Sequence, residues 1–241
     1  MTELSRQPET GTGALRVDLG RRCAAEAIGT GFLVLAVIGS GIMASRLSPD
    51  DTGLQLLENA AATAGALIAL ILGFGAVSGA HFNPVVTLLD RAFGDLTSRD
   101  TVAYLAAQLV GGGAGAVAAN VMFELPAMDL ATTTRSSGAL WLSEVIATIG
   151  LLLVIHGCVR SGRSNAVAIA VGVWIGGAYW FTSSTSFANP AVTVGRTLSD
   201  SFAGIAPASA PMFIAMQLVG AALAYGLIRY LYPRPKELRR G

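Results

Sequence analysis

Six apolar stretches, each long enough to cross a bilayer, constrain this chain more than anything else in it. A hydrocarbon core of about 30 Å takes about 20 helical residues, and such stretches fall at approximately residues 22–44, 58–78, 101–123, 140–159, 166–182 and 208–231. In lipid every backbone N–H and C=O must find its partner inside the protein, so spans of this kind are expected to be helices. Composition agrees: 53% of the 241 residues are hydrophobic and 13% are charged, with a mean hydropathy of +0.60, whereas a soluble domain carries roughly 25% charged residues. Two shorter apolar segments of roughly eight residues begin at Pro84 and Pro190, after the second and fifth spans. Neither reaches across a membrane alone.

The charge pattern fixes an expected orientation and excludes several classes. Net charge is +1, too small and too scattered for a nucleic-acid partner. Every Lys and Arg except Arg46, Arg135 and Arg196 falls on one side of the six-span topology. Because basic residues are retained on the cytoplasmic face, both termini are expected there. Residues 1–20 are polar, with Pro8, Gly11 and Gly13, and read as a flexible tail without a cleavable signal. Residues 233–241 form a basic tail, leaving 21–232 as the membrane domain. The set His81, His156, Cys23 and Cys158 shows no metal-ligand spacing, so neither a metal nor another cofactor is expected, and no enzymatic site stands out.

The two halves echo each other in order. AAEAIGTGFLVL pairs with LSEVIATIGLLLV, HFNPVVTLLDR with FANPAVTVGR, and AAQLVGG with AMQLVGA, which divides the domain into repeats at about 21–123 and 138–232. Three spans separate matching points, so the second copy is inserted upside down relative to the first. Within each copy, Asn-Pro starts a half-helix: Asn is a strong N-cap, and proline suits the first helical position because its missing N–H has no intrahelical partner there. Inverted repeats bring the two half-helix N-termini together at the midplane with their positive dipole ends facing. The backbone leading into them, Ser78 to Phe82 and Ser183 to Ala188, is expected to be irregular. Irregular backbone at that depth is tolerated only when buried or lining a watery path, so the reading is a pore.

SGAHFNPVVT and SFANPAVT, at mirrored places in a six-span chain with Glu26 and Glu144 opening the halves and Gln108 and Gln217 paired, resemble the aquaporin and aquaglyceroporin family over residues 22–231. The resemblance implies an all-α fold of six transmembrane helices and two re-entrant half-helices. It implies a passive channel, assembled as a homotetramer with one pore per protomer, in a bacterial plasma membrane. Asn83, Pro84, Val85 and Asn189, Pro190, Ala191 then stand for the two pore motifs, Val85 replacing the usual alanine, with both asparagines donating N–H to the passing molecule. Glu26, Glu144, His81, Gln108 and Gln217 take the role of loop scaffold. Counting from the asparagines assigns the outer selectivity filter to Thr63, Gly177, Ser186 and Val192. Val192 stands where nearly all members carry arginine, and Thr193 where glycerol-type members carry aspartate. A wide filter without that arginine is similar to bacterial aquaglyceroporin-like proteins associated with arsenic resistance. The implied permeants are small and neutral: arsenous and antimonous acids, methylated arsenicals, urea, glycerol-like polyols and water.

Other readings of the same residues stay open from sequence. Glu26 and Glu144 are intramembrane acids, costing about 2.5–3.5 kcal/mol each at a helix centre if unpaired, and would serve as proton relays in an ion-coupled secondary transporter, which also uses inverted repeats. A non-conducting scaffold relative is a third class, disfavoured by the small filter residues. His81 either gates by protonation or braces its loop, and His156 either senses pH or packs at a helix end. Arg196 either complements a helix C-terminus or reaches back to replace the missing filter arginine. The spacings Gly111 to Gly115 and Gly172 to Gly176 suit close helix crossing.

Overall fold

The computed structural model describes residues 17–233, and all regular structure among them is helical. The elements are α1 (Leu19–Leu47), α2 (Thr52–Ser78), α3 (Pro84–Phe93), α4 (Ser98–Met122), α5 (Gly138–Arg160), a 3-10 turn (Ser164–Ala166), α6 (Val167–Phe181), α7 (Pro190–Arg196) and α8 (Ala210–Leu231). Six of these are long and apolar enough to span, α6 doing so together with the turn before it. The protein is a multi-pass membrane protein with α3 and α7 as the short pair. Residues 1–16 and 234–241 of the expected tails lie outside the described residues.

Helix starts follow polar caps rather than the edges of apolarity. Asp18 Oδ1 accepts the Arg21 N–H at 3.1 Å and starts α1 at Leu19, so the helix begins inside the stretch expected as tail. Asp51 Oδ1 accepts the Leu54 N–H at 2.9 Å and starts α2 at Thr52 rather than 58. An N-cap side chain satisfies one of the otherwise orphaned donors of the first turn. Glu58 stays within α2 because its Oε1 accepts the Ser48 hydroxyl at 3.0 Å.

The packing repeats itself. Helix α1 lies against α2 and α4 as α5 lies against α6 and α8; α3 touches α4 and α8 as α7 touches α8 and α4; α2 meets α6 where the halves join. Close approach depends on missing side chains. A Cβ on Gly111 would stand 2.0 Å from the Ala27 carbonyl oxygen, and one on Gly115 would stand 2.1 Å from that of Gly31. Backbone-to-backbone contact of α1 and α4 is thus available to glycine only. Core side chains such as Val34, Val37, Ile38 and Leu151 are buried, while Phe32, Leu72, Val110 and Val173 are exposed on outward helix faces. Such faces match a lipid solvent, which is as apolar as they are.

Candidate functional site

Both half-helices begin as their sequence directs. Asn83 Oδ1 accepts the Val85 N–H at 3.0 Å, and Asn189 Oδ1 accepts those of Ala191 and Val192 at 3.0 and 3.2 Å. Pro84 and Pro190 open the helices. The segment before each is irregular and carries left-handed residues at mirrored positions: Ala80 and Phe82 (φ 51° and 49°), Ser186 and Ala188 (φ 53° and 48°). A non-glycine residue held there costs about 1–3 kcal/mol and persists only when its surroundings enforce it.

Two carboxylates do the enforcing. Glu26 Oε1 accepts the Ser78 hydroxyl at 2.6 Å and the His81 N–H at 2.9 Å, while Oε2 accepts the Phe82 N–H at 2.7 Å and the Gln108 amide at 2.8 Å. Glu144 Oε1 accepts the Ser184 hydroxyl at 2.6 Å and the Phe187 N–H at 2.9 Å, while Oε2 accepts the Ala188 N–H at 2.9 Å and the Gln217 amide at 2.6 Å. Both side chains are fully buried. Hydrogen bonds to charged groups contribute about 1.5–3 kcal/mol each, so four of them outweigh the burial cost given above. Gln108 and Gln217 also donate to Thr87 and Thr193 Oγ1, on α3 and α7, at 2.9 and 3.0 Å. His81 stands in the same frame, its Nδ1 3.0 Å from Thr87 Oγ1 and its Nε2 3.1 Å from Asp90 Oδ2.

The halves lock at the centre. Asn83 Nδ2 donates to the Ala188 carbonyl and Asn189 Nδ2 to the Phe82 carbonyl, both at 2.8 Å. Each amide has two N–H groups, so one is tied to the opposite loop and one remains for the cavity that both asparagines line. That cavity has a volume of about 540 Å³ and is bordered by Thr63, Asn83, Asn189 and Val192, with His81 and His156 beside α3 and Arg196 at the end of α7 also in its lining. Neither Glu26 nor Glu144 borders it.

Of the residues assigned to the outer filter, Thr63, Ser186 and Val192 border the cavity and Gly177 does not. Gly177 lies on the exposed outer face of α6. The inward face of that helix carries Val171, Ile175 and Tyr179, at the spacing of successive turns. The Tyr179 hydroxyl is 3.2 Å from Thr63 Oγ1, so the α6 contribution beside Thr63 is an aromatic ring, and the expectation of a glycine-widened opening is corrected. Counting back from Asn189 fails because the intervening segment is not helical. The nearly uniform apolarity of α6 leaves no sequence signal for Tyr179, which only the packing of the helix turns inward.

Two further residues at the cavity, Phe187 and Asp90, were not singled out from sequence, and the burial of Arg196 was not foreseen. Phe187 borders it beside Asn189, and the Arg196 guanidinium carbon lies 3.4 Å from the centre of the Phe187 ring. Arg196 is 2% exposed although it is the last residue of α7. Asp90 also lines the cavity and faces both histidines, with His156 Nε2 3.6 Å from Asp90 Oδ1. Val85 is buried with Val86, Leu89, Leu152, Ala221, Ala224 and Ile228, so the replacement of alanine serves packing of α3 against α5 and α8.

Comparison with known proteins follows the same outline. The family model described as major intrinsic protein matches residues 14–182 and 159–240. The chain is 49% identical over 223 residues, 92% of its length and 95% of the relative's, to the aquaglyceroporin AqpS of Rhizobium meliloti (strain 1021). It is 32% identical over 248 residues, 89% of this chain and 98% of the relative, to the aquaporin AqpM of Methanothermobacter thermautotrophicus. Among solved structures, the aquaglyceroporin from Plasmodium falciparum superimposes with a TM-score of 0.68 at 19% identity, covering 89% of this chain and 97% of that one.

Proposed function

The chain belongs to the major intrinsic protein family, whose members are channels rather than enzymes, and on that premise we propose that it is a passive channel for small neutral solutes. The observation that carries the reading is the central lock, in which Asn83 and Asn189 each donate one N–H to the opposite loop and keep one at the cavity. A neutral solute with oxygen acceptors exchanges water for these donors at little cost, whereas an ion sheds hydration that two amides do not replace. The facing positive ends of α3 and α7 disfavour cations at the same point.

The solutes proposed are arsenous and antimonous acids, methylated arsenicals, urea, glycerol-like polyols and water. Support comes from the filter, here Thr63, Tyr179, Ser186 and Val192, which combines hydroxyl-bearing residues with an apolar valine and holds no arginine at position 192. The likeness to an aquaglyceroporin favours solutes larger than water. The concentration of basic residues on the face of the termini supports a cytoplasmic location for both ends in a bacterial cell, and exposed apolar outer faces suit either lipid or neighbouring protomers of a homotetramer.

The rival reading, an ion-coupled secondary transporter, requires a titrating acid on the path. Glu26 and Glu144 are fully engaged away from it. The test is osmotic light scattering from proteoliposomes offered water, glycerol or arsenous acid. Re-swelling with glycerol and arsenous acid above that of empty vesicles is expected; water flux alone would overturn the wider solute range.

A further inference from the structure

We propose that Arg196 is the displaced cation of this channel's filter: a guanidinium held one helical turn beyond Val192, facing the path, where it repels cations and donates to oxygen-bearing solutes. The proposal rests on the channel reading and adds to it the residue that supplies charge selectivity when position 192 carries valine.

Arg196 ends α7 four residues after Val192, so both lie on one face of the half-helix, separated by about one 5.4 Å turn. Both border the cavity. Its position is built. The Nε–H donates to the Ala203 carbonyl, the guanidinium carbon lies 3.4 Å from the Phe187 ring centre, and Phe213 braces that ring from the far side with centroids 5.1 Å apart. Stacking on an aromatic face is a geometry that suits the planar, weakly hydrated guanidinium, and a lysine ammonium over the same face keeps the charge.

The terminal N–H groups are what remain. Among the described residues the Nε bond is the only hydrogen bond made by the Arg196 side chain, and no carboxylate pairs with it. A second guanidinium shares Phe187 and shows the contrast. Arg135 lies 5.4 Å from the ring centre, is spent on the Gly204 and Phe202 carbonyls and does not border the cavity. A buried charge without a counter-ion needs partners for its donors, and at Arg196 the cavity side is where water or a solute oxygen provides them. Ser186 borders the cavity as well, and its buried Oγ has no hydrogen-bond partner in the protein. Moving the guanidinium outward leaves Val192 and Tyr179 to set the width while keeping a positive barrier in series with them.

For a unit charge about 6 Å from the path at an effective dielectric between about 20 and 40, Coulomb repulsion lowers cation passage roughly ten- to a hundredfold. The experiment compares the wild type with Arg196→Gln and Arg196→Lys in proteoliposomes, reading potassium leak with a potential-sensitive dye and glycerol re-swelling in the same vesicles. Expected are a potassium-tight wild type, a leak raised roughly ten- to a hundredfold in Arg196→Gln, and a tight Arg196→Lys. A glycerol-conducting Arg196→Gln that stays potassium-tight overturns the proposal. So does an Arg196→Lys that leaks like Arg196→Gln, because packing rather than charge would then be at work, and so does a wild type that itself conducts potassium. If Arg196→Gln gives no folded channel, Arg196→Lys and Phe187→Leu decide, since both keep the charge: tightness in both supports the assignment and a leak in either overturns it. Failure of the wild type to pass any neutral solute would instead remove the channel reading beneath it.

Discussion

Replacing Glu144 with glutamine separates a scaffold carboxylate from a proton relay. The wild-type oxygens accept four donors at 2.6–2.9 Å. Glutamine keeps one oxygen, enough for two of them, and turns an NH₂ group towards the other two, donor against donor. Two lost charge-assisted bonds amount to about 3–6 kcal/mol. Removing a buried charge returns about 2.5–3.5 kcal/mol on insertion scales, so the net loss is up to about 3 kcal/mol. At roughly 2–4 °C per kcal/mol for a chain of this size, Glu144→Gln should lower the melting temperature in detergent by up to roughly 6–12 °C. It should also depress water and glycerol flux together, at every pH tested, because the Ser184 to Ala188 backbone loses its frame. Glu26→Gln should do the same to a similar degree, since its four donors are the mirror set. A Glu144→Gln protein as stable as the wild type, with uptake that has lost dependence on a proton gradient, would refute the scaffold assignment and support the relay.

Other substitutions probe the filter and the frame. Val192→Arg should depress glycerol flux more than water flux in re-swelling assays, and an equal effect on both would place Val192 away from the constriction. Its guanidinium would also sit about 6 Å from that of Arg196, a repulsion of about 3 kcal/mol at an effective dielectric of about 20, so its yield of folded protein should fall. Tyr179→Ala should raise the glycerol-to-water flux ratio several-fold, whereas Gly177→Ala, on the outer face, should leave that ratio unchanged. Gly115→Ala puts a methyl 2.1 Å from a backbone oxygen and should cost more than 3 kcal/mol by forcing α1 and α4 apart, read as loss of the monodisperse species in size-exclusion chromatography.

What the sequence disclosed and what it hid follow from where the determining interactions lie. Asn83-Pro84 and Asn189-Pro190 are legible because capping and helix initiation are local, complete within four residues. Glu26 and Glu144 are legible because a buried acid at matching places in two repeats needs a common partner. The lining of α6 was not legible in the same way. Val167–Phe181 is so uniformly apolar that hydrophobic periodicity gives its rotation no preference, and only packing against α2 and α5 turns Tyr179 inward and Gly177 outward. The early start of α2 was hidden by Glu58, which looks like the end of an apolar run until Ser48 is placed beside it. The two readings of Arg196, a helix-end cation or a replacement for the filter arginine, stay undivided in the sequence because its burial depends on Phe187 and Ala203, contacts made only in the folded chain.

The most direct test of the central claim, passive conduction of neutral solutes, is arsenous acid uptake into proteoliposomes measured over a wide concentration range, with and without imposed proton and sodium gradients. The account predicts an initial rate that rises linearly with concentration and is the same whether a gradient is present, absent or reversed. A rate that saturates, and that follows the direction of an ion gradient, would contradict it.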